Sequence, residues 1–199
     1  FNERLLLDYM MEKTEDPMER IALLEQEIRN ITGTFYFQAL LADYEYEAHK
    51  LVDLGHPITP DILSKIIENL FDKYYGNEIE KDELIYILWS RVPHFFNSPF
   101  YVYQYSTCFA SSAILYEKVV KEKDEEKRKK SLNKYIELLS SGGSDFPMNQ
   151  LKKAGVDLEE KNTIKAVSKQ LDRLLDKLEE EIGKMKDREG VTDEYKRKN

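Results

Sequence analysis

At 199 residues the chain has the length of one domain, and a hydrophobic fraction of 41% is enough to build a core. A formal net charge of −8 excludes a general nucleic-acid binder, which carries a basic face, and 34% charged residues predict wide solvated helix surfaces. The single cysteine, Cys108, excludes an internal disulfide and fits a reducing, cytoplasmic compartment, and no apolar run reaches the roughly 18 residues of a membrane span.

Residues 1–14 place Leu5, Leu6, Tyr9 and Met10 on one apolar helical face. The chain opens without methionine and already in helical register, so it reads as cut from a longer protein. Asp16 caps and Pro17 opens the next helix. Residues 18–54 then predict one long helix, striped by Ile21, Leu24, Ile28, Ile31, Phe35 and Ala39, with a bend or close packing at Gly33 and a left-handed stop at Gly55. Thr59 and Pro60 start a further helix, with Ile62, Ile66, Ile67, Leu70 and Phe71 facing inward and Gly76 closing it.

Residues 82–90 predict one short helix. Pro93 and Pro99 hold residues 92–98 extended or turning, and a helix follows from Pro99 to about Lys121. It is rich in small residues, and Cys108 within it is expected to be a buried, inert thiol. Residues 121–130 are all charged and predict a solvated turn and helix start.

Residues 131–139 form a helix stopped by Gly142 and Gly143, a turn rather than a phosphate loop because no strand precedes it and no Gly-Lys-Ser/Thr follows. A short helix covers residues 147–154. Asn162 or Thr163 caps the last long helix, whose seam runs through Ile164, Val167, Leu171, Leu174, Leu175, Leu178, Ile182 and Met185. With no convincing period-two alternation, the fold is all-α: a helical body over residues 1–189 and a polar tail at 190–199 expected to fray.

The chemistry concentrates in residues 91–107. Within them stand His94, two prolines, Phe95, Phe96, Phe100 and Tyr101, then Tyr103 and Tyr105. Polar tips on apolar rings suit hydrogen-bond donation into a partly dry cleft. Tyr101 and Tyr105 stand four apart, on one helical face, while Tyr103 points elsewhere. A neutral imidazole or a phenol there can donate to an oxygen gaining charge. A tyrosine-rich core with satisfied hydroxyls is the ordinary alternative. Glu45 and His49, one turn apart, supply two possible metal ligands, too few for a site, and His56 before Pro57 is a solvated turn residue. No His-Glu-x-x-His, Gly-x-Ser-x-Gly or cysteine cluster occurs.

Three stretches together carry a resemblance. Phe1-Asn-Glu3 looks like the end of the motif Ala-Glu-Val-Ala-Ser-Thr-Phe-Asn-Glu. Arg91-Val-Pro-His94-Phe and Pro99-Phe-Tyr-Val-Tyr-Gln-Tyr105 look like a substrate-side histidine and tyrosine segment. Ser141-Gly-Gly-Ser144, Pro147 and Lys153-Ala-Gly-Val-Asp157 look like a turn-rich C-terminal signature. In order and spacing they resemble the oligoendopeptidase F branch of the thimet-oligopeptidase-like zinc metallopeptidases. Where that branch has glycine after the tyrosine segment, this chain has Cys108.

That resemblance implies the C-terminal helical part of an all-α, zincin-like clamshell, from an enzyme that cuts short peptides in a deep channel. It implies zinc as cofactor of the full-length enzyme, held by segments outside this chain, with the missing N-terminal portion as partner. It implies no metal ligand here, no nucleic acid or membrane partner, and no activity of this chain alone. His94, Tyr105 and Tyr101 would take catalytic roles, with His94, Tyr101 and Tyr103 binding substrate. Glu3 would be a carboxylate that orients a zinc ligand. The alternative is a non-catalytic helical peptide-binding or scaffold module.

Overall fold

Caps and prolines set most helix boundaries in the computed structural model, which describes residues 1–197 and, in the last helix, side chains through Met185. The helices are α1 (Asn2–Lys13), α2 (Pro17–Ile31), α3 (Phe37–Asp53), α4 (Pro60–Tyr75), α5 (His94–Asn97), α6 (Tyr103–Tyr116), α7 (Glu125–Ser140), α8 (Pro147–Lys153) and α9 (Lys161–Arg197). No strand occurs among the described residues, so the all-α class holds. None of these helices is long and apolar enough to cross a membrane. The chain forms two compact units: Phe1–Thr32 with Thr107–Asn199, and Gly33–Ser106.

In the first unit α2 packs along α9, with Leu24, Ile31, Val167 and Leu174 almost fully enclosed. The expected apolar face of α1 is not the buried one. Leu6, Tyr9 and Met10 are exposed, whereas Arg4 and Leu7 are buried. The cause is electrostatic. The Arg4 Nη1 donates to Glu27 Oε1 of α2 at 3.2 Å, and Gln170 Nε2 of α9 donates to the same oxygen at 3.1 Å. Buried charges need partners, and this pairing decides which side of α1 turns inward. Asp8 continues the network, accepting from the Tyr116 hydroxyl and lying 3.1 Å from Lys121 Nζ. Farther along α9, burial alone would raise the Glu181 carboxyl, but Arg20 at 3.0 Å and Lys184 at 3.3 Å hold it below its ordinary value.

The second unit is built on α3 and α4. Leu40, Leu41 and Tyr44 meet Ile67, Leu70 and Phe71, and Val102 closes the cluster from the strip before α6. The α4 start is as expected: Thr59 Oγ1 accepts from the Ile62 amide at 3.4 Å, and Pro60 takes the first helical position.

Several boundaries differ from expectation for local reasons. The helix over residues 18–54 is interrupted by a π-helical turn, Thr32–Tyr36, which contains Gly33, the residue whose backbone most readily leaves the regular helical repeat. Residues 82–90 form two 3₁₀ turns, Glu83–Ile85 and Leu88–Arg91, because Asp82 Oδ1 binds the Leu84 amide at 2.8 Å and tightens the first. The charged run is already helical from Glu125, since Asp124 Oδ1 accepts from the Lys127 amide at 3.1 Å. Neither Asn162 nor Thr163 caps α9, which begins at Lys161; the Thr163 hydroxyl donates to the Asp157 carbonyl instead. The α9 seam is more polar than expected, with Thr163, Gln170 and Glu181 buried and Ile164 and Leu175 exposed.

Cys108 is exposed rather than buried; Leu115, seven residues on and on the same side of α6, is buried, so the cover over that side begins beyond the cysteine. The α9 backbone is described to Arg197. Lys198, Asn199 and the side chains after Met185, on which the polar tail would be judged, lie outside the described residues.

Two stability predictions follow from these contacts. Glu27→Ala leaves the buried Arg4 guanidinium only the longer contact to Asp8, 3.8 Å from its Nε, and is expected to cost about 3 kcal/mol in urea unfolding, more than the paired exchange of Arg4 and Glu27 for Met and Leu. Asp145 is held at about 2 by the Lys153 ammonium, the Asn149 amide and the Phe146 N–H. Because its folded value is depressed, its stabilisation is present above pH ~4 and is lost as pH falls towards 2. Asp145→Asn is expected to remove that part of the acid limb of a pH–Tm curve.

Candidate functional site

The two prolines bound a strip whose shape departs from both flanking helices. Pro93 has φ −61° and ψ −27°, so it opens the single helical turn α5 rather than an extended segment, at a position where its missing amide hydrogen costs nothing. Pro99 does not begin the next helix; that happens at Tyr103. In between, Phe100 has φ 59°, the only positive φ at a non-glycine residue among the described ones. A bulky side chain in that region is strained and persists only where its surroundings hold it. Here they do. The Phe100 N–H donates to Glu45 Oε1 at 2.6 Å, and the Phe100 ring packs on the His49 imidazole with centroids 4.6 Å apart.

On either side of Phe100 the strip is anchored by apolar contact. Phe95 packs on Tyr44 at 4.9 Å, and Val102 is buried among α3 and α4 residues. Trp89, just ahead of the strip, donates its indole N–H to Ser64 Oγ at 3.1 Å. Ser106 at the far end donates to the Phe35 carbonyl at 2.8 Å, within the π-helical turn.

The anchored strip presents three rings together. His94 Nε2 and Tyr105 Oη are 3.2 Å apart, at hydrogen-bond distance. Tyr101 stands edge-on to both, with centroids 4.9 Å from His94 and 5.5 Å from Tyr105. The trio assembles without the shared helical face expected for it, since Tyr101 precedes α6; the turn at Phe100 brings its ring round instead. Tyr101 is 40% and Tyr105 37% exposed, so the phenols open to solvent rather than into the core. By contrast burial pushes the Tyr44 and Tyr75 phenols up, and Tyr74 is raised to about 12 by burial and its bond to Asp43.

Tyr103 opens α6 and is half exposed, outside the stacked trio. Glu3 is exposed in the first turn of α1, in the other compact unit. Glu45 and His49 both make contacts at Phe100, and no third possible ligand joins them among the described residues. Among the described residues no three His, Cys, Asp or Glu side chains converge as a zinc site requires, so these residues do not fit the metal. The role of Glu45 was missed in the sequence, although a carboxylate four residues after the core residue Leu41, on the same face of α3, was the available signal.

Comparison with known proteins gives these features their setting. The model of peptidase family M3 matches residues 1–169. Oligopeptidase PepF of Bacillus subtilis is 35% identical over 185 residues, which is 93% of this chain and 27% of that protein. The plasmid oligoendopeptidase F of Lactococcus lactis subsp. cremoris is 32% identical over 183 residues, 92% of this chain and 30% of that one. The crystal structure of oligoendopeptidase-F from Enterococcus faecium superposes with a TM-score of 0.83 at 34% identity, covering 92% of this chain and 34% of that one. The chain thus spans less than a third of the length of the curated relatives it matches. By this match and these likenesses, the chain belongs to peptidase family M3.

Proposed function

We propose that this chain supplies the substrate-facing wall of a zinc-dependent oligoendopeptidase acting on short peptides, and that the rest of the enzyme brings the metal ligands. The observation that carries the reading is the solvent-open His94–Tyr105 pair with Tyr101 against it. Its hydrogen bond leaves one donor free in either tautomer. With the proton on Nε2, the imidazole donates to Tyr105 Oη and the phenolic O–H is available to a substrate carbonyl. With the proton on Nδ1, Tyr105 donates to Nε2 and the Nδ1–H is the free donor. Either way a preorganised donor meets an oxygen that gains charge as a peptide bond is attacked, and little reorganisation is needed at that moment.

Tyr101 packs on both partners and fixes their planes, so its part is to position the pair as well as to bind substrate. Tyr103, exposed at the start of α6, is assigned to peptide binding, and Glu3 to orienting a metal ligand in the complete enzyme. The names of the relatives support a peptidase-related role, and the shared fold supports a common site architecture.

In the complete enzyme Tyr105→Phe is expected to lower kcat by roughly 10²–10³ with Tm unchanged, the loss typical of one transition-state donor; an unchanged kcat removes Tyr105 from the mechanism. The 199-residue chain alone is expected to retain no zinc after desalting and to cleave no peptide. Metal analysis together with a quenched-fluorescence peptide assay checks this, and zinc-dependent cleavage by the purified chain would count against the proposal.

A further inference from the structure

Beside the strip lies a cavity of about 260 Å³ that none of the roles above uses. An apolar cavity of about 150 Å³ already admits a benzene ring, so this one has room for a long side chain. Ala48 and Val52 of α3, with Ile58 and Leu63, give it aliphatic walls. Tyr44, Trp89, Phe95 and Phe96 give it aromatic ones. Two titratable side chains line it: the His49 imidazole, which packs on the Phe100 ring, and Glu45, which is only 4% exposed. Its Oε1 accepts the Phe100 N–H, a single donor for a group with about four lone-pair sites.

That carboxylate decides between possible occupants. A phenylalanine or leucine side chain would fill the space but strip water from Glu45 and return no hydrogen bond, which is costly for a charged group. An alkyl stem ending in a cation satisfies both kinds of wall. The stem lies along Ala48, Val52 and Leu63, the head reaches Glu45, and nearby rings add cation–π attraction. We therefore propose that this cavity is a subsite for the side chain of an arginine or lysine residue in the peptide. This rests on the reading of this face as a peptide-binding wall.

The cavity and the ring cluster share one backbone. Phe95 and Phe96 follow His94 directly, while Glu45 and His49 hold Phe100, the residue before Tyr101. A basic side chain seated here places its own peptide unit along the strip that carries the donors.

Trp89 is the chain's one tryptophan and lies in the cavity wall, so its emission reports occupancy without any metal. The 199-residue chain is titrated with acetyl-Ala-Ala-Arg-Ala-amide and with the same peptide carrying norleucine or phenylalanine in place of arginine. The arginine peptide is expected to change the emission saturably and to bind at least tenfold more tightly than either analogue. Glu45→Gln, which keeps an oxygen acceptor for the Phe100 N–H, is expected to abolish that preference with the circular dichroism spectrum unchanged. Ala48→Leu, which fills cavity space without touching that bond, is expected to weaken all three peptides, and it carries the test alone if Glu45→Gln does not fold. Equal or tighter binding of an analogue, an arginine preference that survives in folded Glu45→Gln, full binding by Ala48→Leu, or no saturable response to the arginine peptide would overturn the subsite. The donor roles are tested separately by Tyr105→Phe, so loss of the subsite leaves that reading standing.

Discussion

The hydrogen bond from the Phe100 amide to the buried Glu45 carboxylate is the constraint on which the candidate site turns. Without it only the stack on the His49 ring would oppose relaxation of a phenylalanine at φ 59° towards an ordinary region. The bond belongs to two elements far apart in sequence, the middle of α3 and the approach to α6. It therefore ties the strip to the helix pair that forms the core of its unit. Phe95 on Tyr44 and Val102 in that core hold the same strip from either side. Between these anchors His94, Tyr101 and Tyr105 have little choice of direction, which is what a site built to meet charge at a fixed point needs.

A similar logic holds the other unit together. Arg4, Glu27 and Gln170 come from three helices and meet at one carboxylate oxygen. Their cost is desolvation and their benefit is uniqueness of arrangement: α1 offers a larger apolar face, yet the charged face is the one enclosed. In both units a buried glutamate specifies geometry that apolar packing alone leaves open.

This explains how much could be read from the chain. Starts and stops were legible wherever one residue decides them, as at Asp16–Pro17, Thr59–Pro60, Gly55 and Gly76. The all-α class followed from period and composition, and the residues of the ring cluster from their density around two prolines. Illegible were the features that depend on a distant partner. Nothing near Arg4 in sequence announces Glu27, and nothing near Phe100 announces Glu45. The trio was anticipated by its members but not by its cause, because Tyr101 arrives through an irregular turn rather than a helical repeat. Cys108 misled for the same reason: a helical pattern tells which side a residue takes, not where along the helix a neighbour begins to cover it.

The placement of the lone indole has a consequence for how the molecule comes apart. Trp89 is tethered to Ser64 inside the Gly33–Ser106 unit, whereas helices of both units contribute to the far-ultraviolet signal. Emission and ellipticity thus sample different populations. Coincident melting curves would mean that both units unfold as one cooperative body, and separated midpoints would identify the indole-bearing unit by itself.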